Sequence, residues 1–97
     1  MLRIVVSPKA EDDIVGIAAY TLGMWGERQM SRYVDGLHKR FDALARFPNS
    51  GRRRDEIGRG YRSMVHGSHI VFYKIVAREL VIVRVLHVRM SPERHLP

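Results

Sequence analysis

The stretch from Tyr61 to Met90, YRSMVHGSHIVFYKIVARELVIVRVLHVRM, leaves this chain few folds to adopt. It holds runs rich in Val, Ile, Tyr, Phe and Leu at Tyr61–His66, His69–Val76 and Leu80–Val88. Runs of that length, bounded by turn residues, predict β-strands. Gly67-Ser68 separates the first two. Gly followed by Ser marks a two-residue type II′ hairpin turn, because Gly tolerates positive φ at the first central position. Ala77-Arg78 separates the second and third. The pattern predicts an antiparallel meander.

The first turn sets a register: His66 opposite His69, Met64 opposite Val71, and Arg62 opposite Tyr73. A two-residue second turn then places Tyr73 opposite Ile82 and Val71 opposite Arg84. Alternation assigns Tyr61, Val65, Ile70, Phe72, Val81, Val83 and Val85 to an apolar face that needs a cover. The other face carries Arg62, Met64, His66, His69, Tyr73, Ile82 and Arg84. It is mixed and is expected to meet solvent or a partner. A one-residue slip in either turn reverses part of this assignment.

The preceding residues supply the cover. Leu2–Val6 reads as a strand. Ser7 is a favoured helix N-cap and Pro8 a favoured first helical residue. Glu11, Asp12 and Asp13 complement the positive end of the helix dipole. Consecutive acids do not converge on one helix face, so capping is preferred to a metal or general-base cluster. The first helix is expected from Pro8 to about Leu22, with Ala10, Ile14, Ile17, Ala18 and Leu22 as its apolar stripe. Gly23 and Gly26 punctuate the connection, and Trp25 is expected to plug the junction between helices. The second helix is expected from Glu27 to Arg46. Met30, Val34, Leu37, Phe41 and Leu44 form a heptad-like seam, widened by Tyr33 and Phe47. Gly36 in mid-helix costs about 1 kcal/mol relative to Ala, and a close helix–helix contact would explain it. Phe47-Pro48-Asn49-Ser50-Gly51 stops the helix. Arg52-Arg53-Arg54-Asp55-Glu56 reads as a mobile charged connector, either a solvated loop or a phosphate-binding one. Ser91–Pro97 either adds a helical turn or frays. The fold class is α+β, in the order β-α-α-β-β-β. The helical hairpin lies on the sheet, and the first strand runs parallel beside the last.

The 97 residues suit a single domain over 1–97. There is no cysteine, which excludes disulfides and cysteine metal sites and fits a reducing compartment. No apolar run approaches the roughly 18 residues of a membrane span, and the N-terminus lacks a signal-peptide core. A soluble, cytoplasmic protein without membrane contact is expected. The formal net charge is +7. Acids and bases balance up to Ala45, so the whole excess lies with the meander and its lead-in. Such a basic half attracts nucleic acid or an acidic protein segment.

Four pieces, in order, resemble the ParE/RelE superfamily of bacterial toxins, and the ParE branch in particular. Ile4-Val5-Val6-Ser7-Pro8-Lys9-Ala10 followed by acids is similar to the family's opening. Phe47–Gly51 is similar to its break after the second helix. Gly60-Tyr61-Arg62 through Gly67–Tyr73 is similar to its Arg-containing and aromatic strands. Ile82-Val83-Arg84-Val85-Leu86-His87 matches its last strand. The resemblance covers essentially the whole chain.

It implies the toxin of a type II toxin–antitoxin system, which binds DNA gyrase without chemistry of its own. It also implies neutralisation by a ParD-like antitoxin. It implies no cofactor, no metal and no sequence-specific DNA binding by this chain alone. The mixed face makes Arg62, Tyr73 and Arg84 the expected antitoxin contacts. His87, Arg89, Met90 and Arg94, at the C-terminal end, are the expected target contacts. The alternative is a RelE-like ribosome-dependent messenger endoribonuclease, with His87 as general base and Arg62 and Arg89 on phosphate. Against it, Ile70 stands where such sequences carry an early Arg, no Tyr follows Tyr73, and Val88 follows His87. A third reading is a basic nucleic-acid-binding module without toxicity, recognisable by salt-sensitive binding to naked duplex.

Overall fold

A computed structural model describes residues 1–96; the last residue of the Ser91–Pro97 tail lies outside the described residues. The chain runs β1 (Arg3–Val6), α1 (Pro8–Trp25), α2 (Glu27–Arg46), β2 (Arg52–Arg53), β3 (Arg62–His66), β4 (His69–Val76) and β5 (Glu79–His87). Short 3-10 turns cover Pro48–Ser50 and Pro92–Arg94. The strands form one sheet in the order β1-β5-β4-β3-β2, with β1 parallel to β5 and the other pairs antiparallel. The expected order therefore holds, with one addition. Arg52 and Arg53, expected in a mobile connector, form a short edge strand against Ser63 and Arg62.

Ser7 shows how the first crossover is fixed. Its hydroxyl accepts from the Ala10 N–H at 3.0 Å and donates to the Val83 carbonyl at 2.7 Å. One side chain thus caps α1 and ties its start to β5. α1 ends three residues later than expected, at Trp25. Gly26 alone joins the two helices at φ +89°, a conformation that residues with a Cβ resist. Trp25 is 69% exposed at this corner and does not plug the junction.

α1 contributes Ala10, Ile14 and Ile17 to the core, and α2 contributes Leu37, Phe41, Leu44 and Ala45. They pack on Val71, Tyr73, Leu80, Ile82 and Val85. Leu22 and Phe47, assigned to the stripes, are exposed, while Thr21 is buried and donates to the Ile17 carbonyl at 2.7 Å.

The sheet face under the helices is mostly the one expected to be open. Met64, Val71, Tyr73 and Ile82 point to the helices. The register of the β3–β4 hairpin is as expected, with His66 opposite His69 and Arg62 opposite Tyr73. The second pairing starts as expected, with Tyr73 opposite Ile82, and then shifts. Phe72 lies opposite Arg84, and Val71 opposite Val85 rather than Arg84. Val83 is the extra residue of a β-bulge, which reverses the alternation along β5. Ile82 and Val85 consequently both serve the helix-covered core.

The opposite face is covered in part, with Val65 and Val76 left exposed on it. Tyr61, Phe72 and Leu86 are buried there. The Arg54 guanidinium sits 5.5 Å from the Phe72 ring centre, and the Lys74 ammonium 4.4 Å from that of Tyr61. Both cations use their stems and charges to cover aromatic faces. Arg54 also donates to Glu56 and Ser63. The connector is thereby folded onto the sheet.

Candidate functional site

The hairpin register brings histidines from adjacent strands into one row, with His66 on β3 opposite His69 on β4, and His69 opposite His87 on β5. Tyr33 of α2 lies over this row. Its ring centre is 4.7 Å from that of His66 and 5.6 Å from that of His69. The His69 and His87 rings meet edge to face at 5.4 Å. His66 Nε2 donates to the Tyr33 carbonyl at 3.0 Å. The Tyr33 hydroxyl accepts from the Ser68 N–H at 3.1 Å. It also lies 2.9 Å from the His66 carbonyl and 2.6 Å from His69 Nδ1.

Two glycines permit this packing. A Cβ on Gly36 would stand 2.9 Å from His66 Cε1, and one on Gly67 would stand 2.7 Å from the Tyr33 ring. Gly36 thus answers to a helix–sheet contact rather than a helix–helix one. Burial pushes the Tyr33 phenol up. Burial, and then the neighbouring His87 and His66, push His69 below the ordinary histidine value, with Asp13 pulling weakly the other way.

Tyr33, His69 and His87 line one side of an open groove of about 810 Å³. α1 lines the other side with Asp13, Ile17, Tyr20 and Trp25, and Met90 stands at the rim. From Ile14 to Trp25 this helix has no charged side chain. Val15, Tyr20, Leu22, Met24 and Trp25 in that stretch are exposed. A helix apolar on most sides is ordinarily covered on most sides.

The expected antitoxin contacts are engaged within the chain. Tyr73 has no accessible surface; its hydroxyl donates to the Pro48 carbonyl at 2.7 Å and accepts from the Gly51 N–H at 3.0 Å. The guanidinium of Arg62 donates to the Asn49 and Gly51 carbonyls. That of Arg84 makes two hydrogen bonds of 2.8 Å to Asp13 and a third to the His95 carbonyl. These polar side chains are buried or half-buried because each has a partner from a distant segment. The placement of all three on an open face is thus corrected.

Of the expected target contacts, His87 ends β5 and lines the groove with Met90, Arg89 stands between them in the chain, and Arg94 lies in the 3-10 turn Pro92–Arg94. Arg89, Met90 and Arg94 are exposed, and His87 Nδ1 accepts from the Arg89 N–H at 3.1 Å. Of the alternative nuclease set, His87 and Arg89 adjoin through that hydrogen bond, and Arg62 stands apart from them. Arg62 sits four residues along β3 from His66, roughly 13 Å from the histidine row at strand rise, and faces other partners.

Sequence reasoning missed Tyr33, His69 and Asp13 as site residues. Tyr33 falls beside the apolar seam and reads as core. Asp13 was assigned to the helix dipole, yet it accepts from Arg84 and from the Val85 N–H at 2.9 Å. It satisfies the edge of β5 just where β1 has ended.

The model of the family described as "ParE toxin of type II toxin-antitoxin system, parDE" matches residues 4–92. The chain belongs to the ParE toxin family. Toxin ParE1 of Mycobacterium tuberculosis is 38% identical over 95 residues, covering 97% of each chain. Toxin ParE1 of Caulobacter vibrioides is 34% identical over 91 residues, covering 94% of each. Among solved structures, a chain of the chromosomal ParDE system from P. aeruginosa superposes with a TM-score of 0.80. It is 19% identical and covers 92% of this chain and 98% of its own. A chain of the toxin–antitoxin complex RelBE2 from M. tuberculosis gives a TM-score of 0.55 at 22% identity, covering 89% and 96%. The ParE assignment therefore rests on sequence, and the α+β architecture is shared with both structures.

Proposed function

We propose that this ParE-family toxin inhibits DNA gyrase by binding it, performs no reaction of its own, and is neutralised by a ParD-like antitoxin in the cytoplasm. The family match over residues 4–92 carries the reading. The geometry supports it from two sides. Arg62, one of the two cations expected on phosphate in the nuclease reading, holds the Asn49 and Gly51 carbonyls instead. His87, Arg89, Met90 and Arg94 form a basic, partly apolar end suited to insertion into a partner.

The antitoxin is assigned a different face from the one the sequence suggested. The uncharged stretch Ile14–Trp25 and the adjoining groove supply apolar anchors. The net charge of +7 favours an acidic partner segment that folds on binding. The RelE-like alternative keeps one observation in its favour: Tyr33, His69 and His87 converge on the groove, and such groups can transfer protons. Induction of this chain alone in a bacterial host separates the two. Filamentation and DNA damage support gyrase binding; immediate translation arrest with cut messages replaces it with the nuclease.

A further inference from the structure

We propose that the Tyr33–His66–His69–His87 knot is an acid-sensitive latch. It holds the Gly67-Ser68 turn and the end of β5 on α2 at neutral pH, and loosens them as the imidazoles take up protons.

The latch is defined by its hydrogen bonds. The Tyr33 hydroxyl gathers the His66 carbonyl, the Ser68 N–H and His69 Nδ1. The Val88 N–H donates to the Ser68 carbonyl at 2.9 Å, so the end of β5 hangs on the same turn. The Met90 N–H donates to the His87 carbonyl, and His87 Nδ1 holds the Arg89 N–H.

Each ring has a defined response to acid. His66 already donates through Nε2, so it takes a proton at Nδ1. The Tyr33 hydroxyl gives its one proton to the His66 carbonyl, so His69 already donates to it from Nδ1 and takes a further proton at Nε2, which adds a half-buried charge beside His66 and His87. Protonation of His87 at Nδ1 removes the acceptor for the Arg89 N–H. Three cations would then stand in adjacent positions of one row.

The charged surroundings do not neutralise them. From α2 the row faces the Tyr33 phenol, which is neutral in this range. From α1 it faces Asp13, already bonded to Arg84, while Asp12 and Tyr20 stand on the groove wall. Arg84 and Arg89 on or beside β5 add positive charge. The lowered value of His69 agrees with this balance. At His69 the folded chain then binds fewer protons than the unfolded one. Stability therefore rises with pH below the ordinary histidine value of about 6.5. Conversely it falls as pH drops from there, and levels off below the folded-state value of His69.

The test is an NMR titration of the imidazoles of the intact chain, with amide exchange measured near pH 7.5 and pH 5.5 and corrected for intrinsic rates. His69 is expected to titrate below the ordinary value. The Val88 and Met90 amides should lose severalfold more protection than the Phe41 amide, because only the former hang on the latch. His69→Gln, which cannot take a charge, should show a clearly smaller loss. A wild-type His69 titrating at or above the ordinary value overturns the proposal whatever the variant does. So does an acid loss of protection that is uniform along the chain, or one unchanged in a folded His69→Gln.

Discussion

Asp13 and Arg84, seventy-one positions apart, share two hydrogen bonds of 2.8 Å, and each side chain is only 14% exposed. Neighbouring Asp13 hydrogen-bonds raise the already high value of the Arg84 guanidinium, so its charge is permanent. Removing Asp13 leaves that charge half-buried and strands the Val85 N–H. Asp13→Ala should cost roughly 3 kcal/mol, toward the low end for a broken buried pair because some water remains. Urea unfolding of Asp13→Ala, Arg84→Met and the double variant measures the coupling. The double variant should recover part of the loss.

Tyr73 gives a second stability prediction. Tyr73→Phe keeps the ring in the core but leaves the Pro48 carbonyl and Gly51 N–H without their partner. The expected cost is about 1–3 kcal/mol. Gly51→Ala should be worse, because its Cβ would collide with the Tyr73 hydroxyl. Thermal melting ranks the two.

These residues also show where the sequence was legible. Gly67-Ser68 fixed the hairpin register, and the seam from Met30 to Leu44 gave the bounds of α2, because local turn chemistry and periodicity determine both. The choice of covered face was not local. It depends on the bulge at Val83, and β4 is apolar on both sides, so alternation could not decide it. Tyr73 and Arg84 looked like surface groups because the carbonyls and carboxylate that satisfy them come from other segments. The histidine row was half visible: His66 opposite His69 follows from the turn, but His87 joins them only after the bulge. The Arg52–Arg53 strand carried no apolar signal.

The apolar face of α1 predicts a separation of folding from binding. Leu22→Asp and Trp25→Asp change exposed side chains, so stability should move by no more than about 0.5 kcal/mol. Affinity for the cognate antitoxin should fall at least about tenfold for each, as for anchors at an interface centre. Calorimetric titration with both variants at full antitoxin affinity would place the antitoxin elsewhere.

The end of β5 predicts the reverse pattern, unaffected folding with altered toxicity. Arg89→Glu combined with Met90→Asp should abolish growth arrest with circular dichroism unchanged. His87→Asn removes proton transfer at that residue and should retain most of the arrest. A folded but harmless His87→Asn would favour acid–base chemistry over binding.

Gyrase supercoiling assayed with the purified, antitoxin-free protein tests the central claim most directly. Inhibition that rises with toxin concentration, is relieved by antitoxin, and is lost in the Arg89→Glu, Met90→Asp variant is the predicted result. Unimpaired supercoiling by a folded, growth-arresting toxin that cuts ribosome-bound message would contradict it.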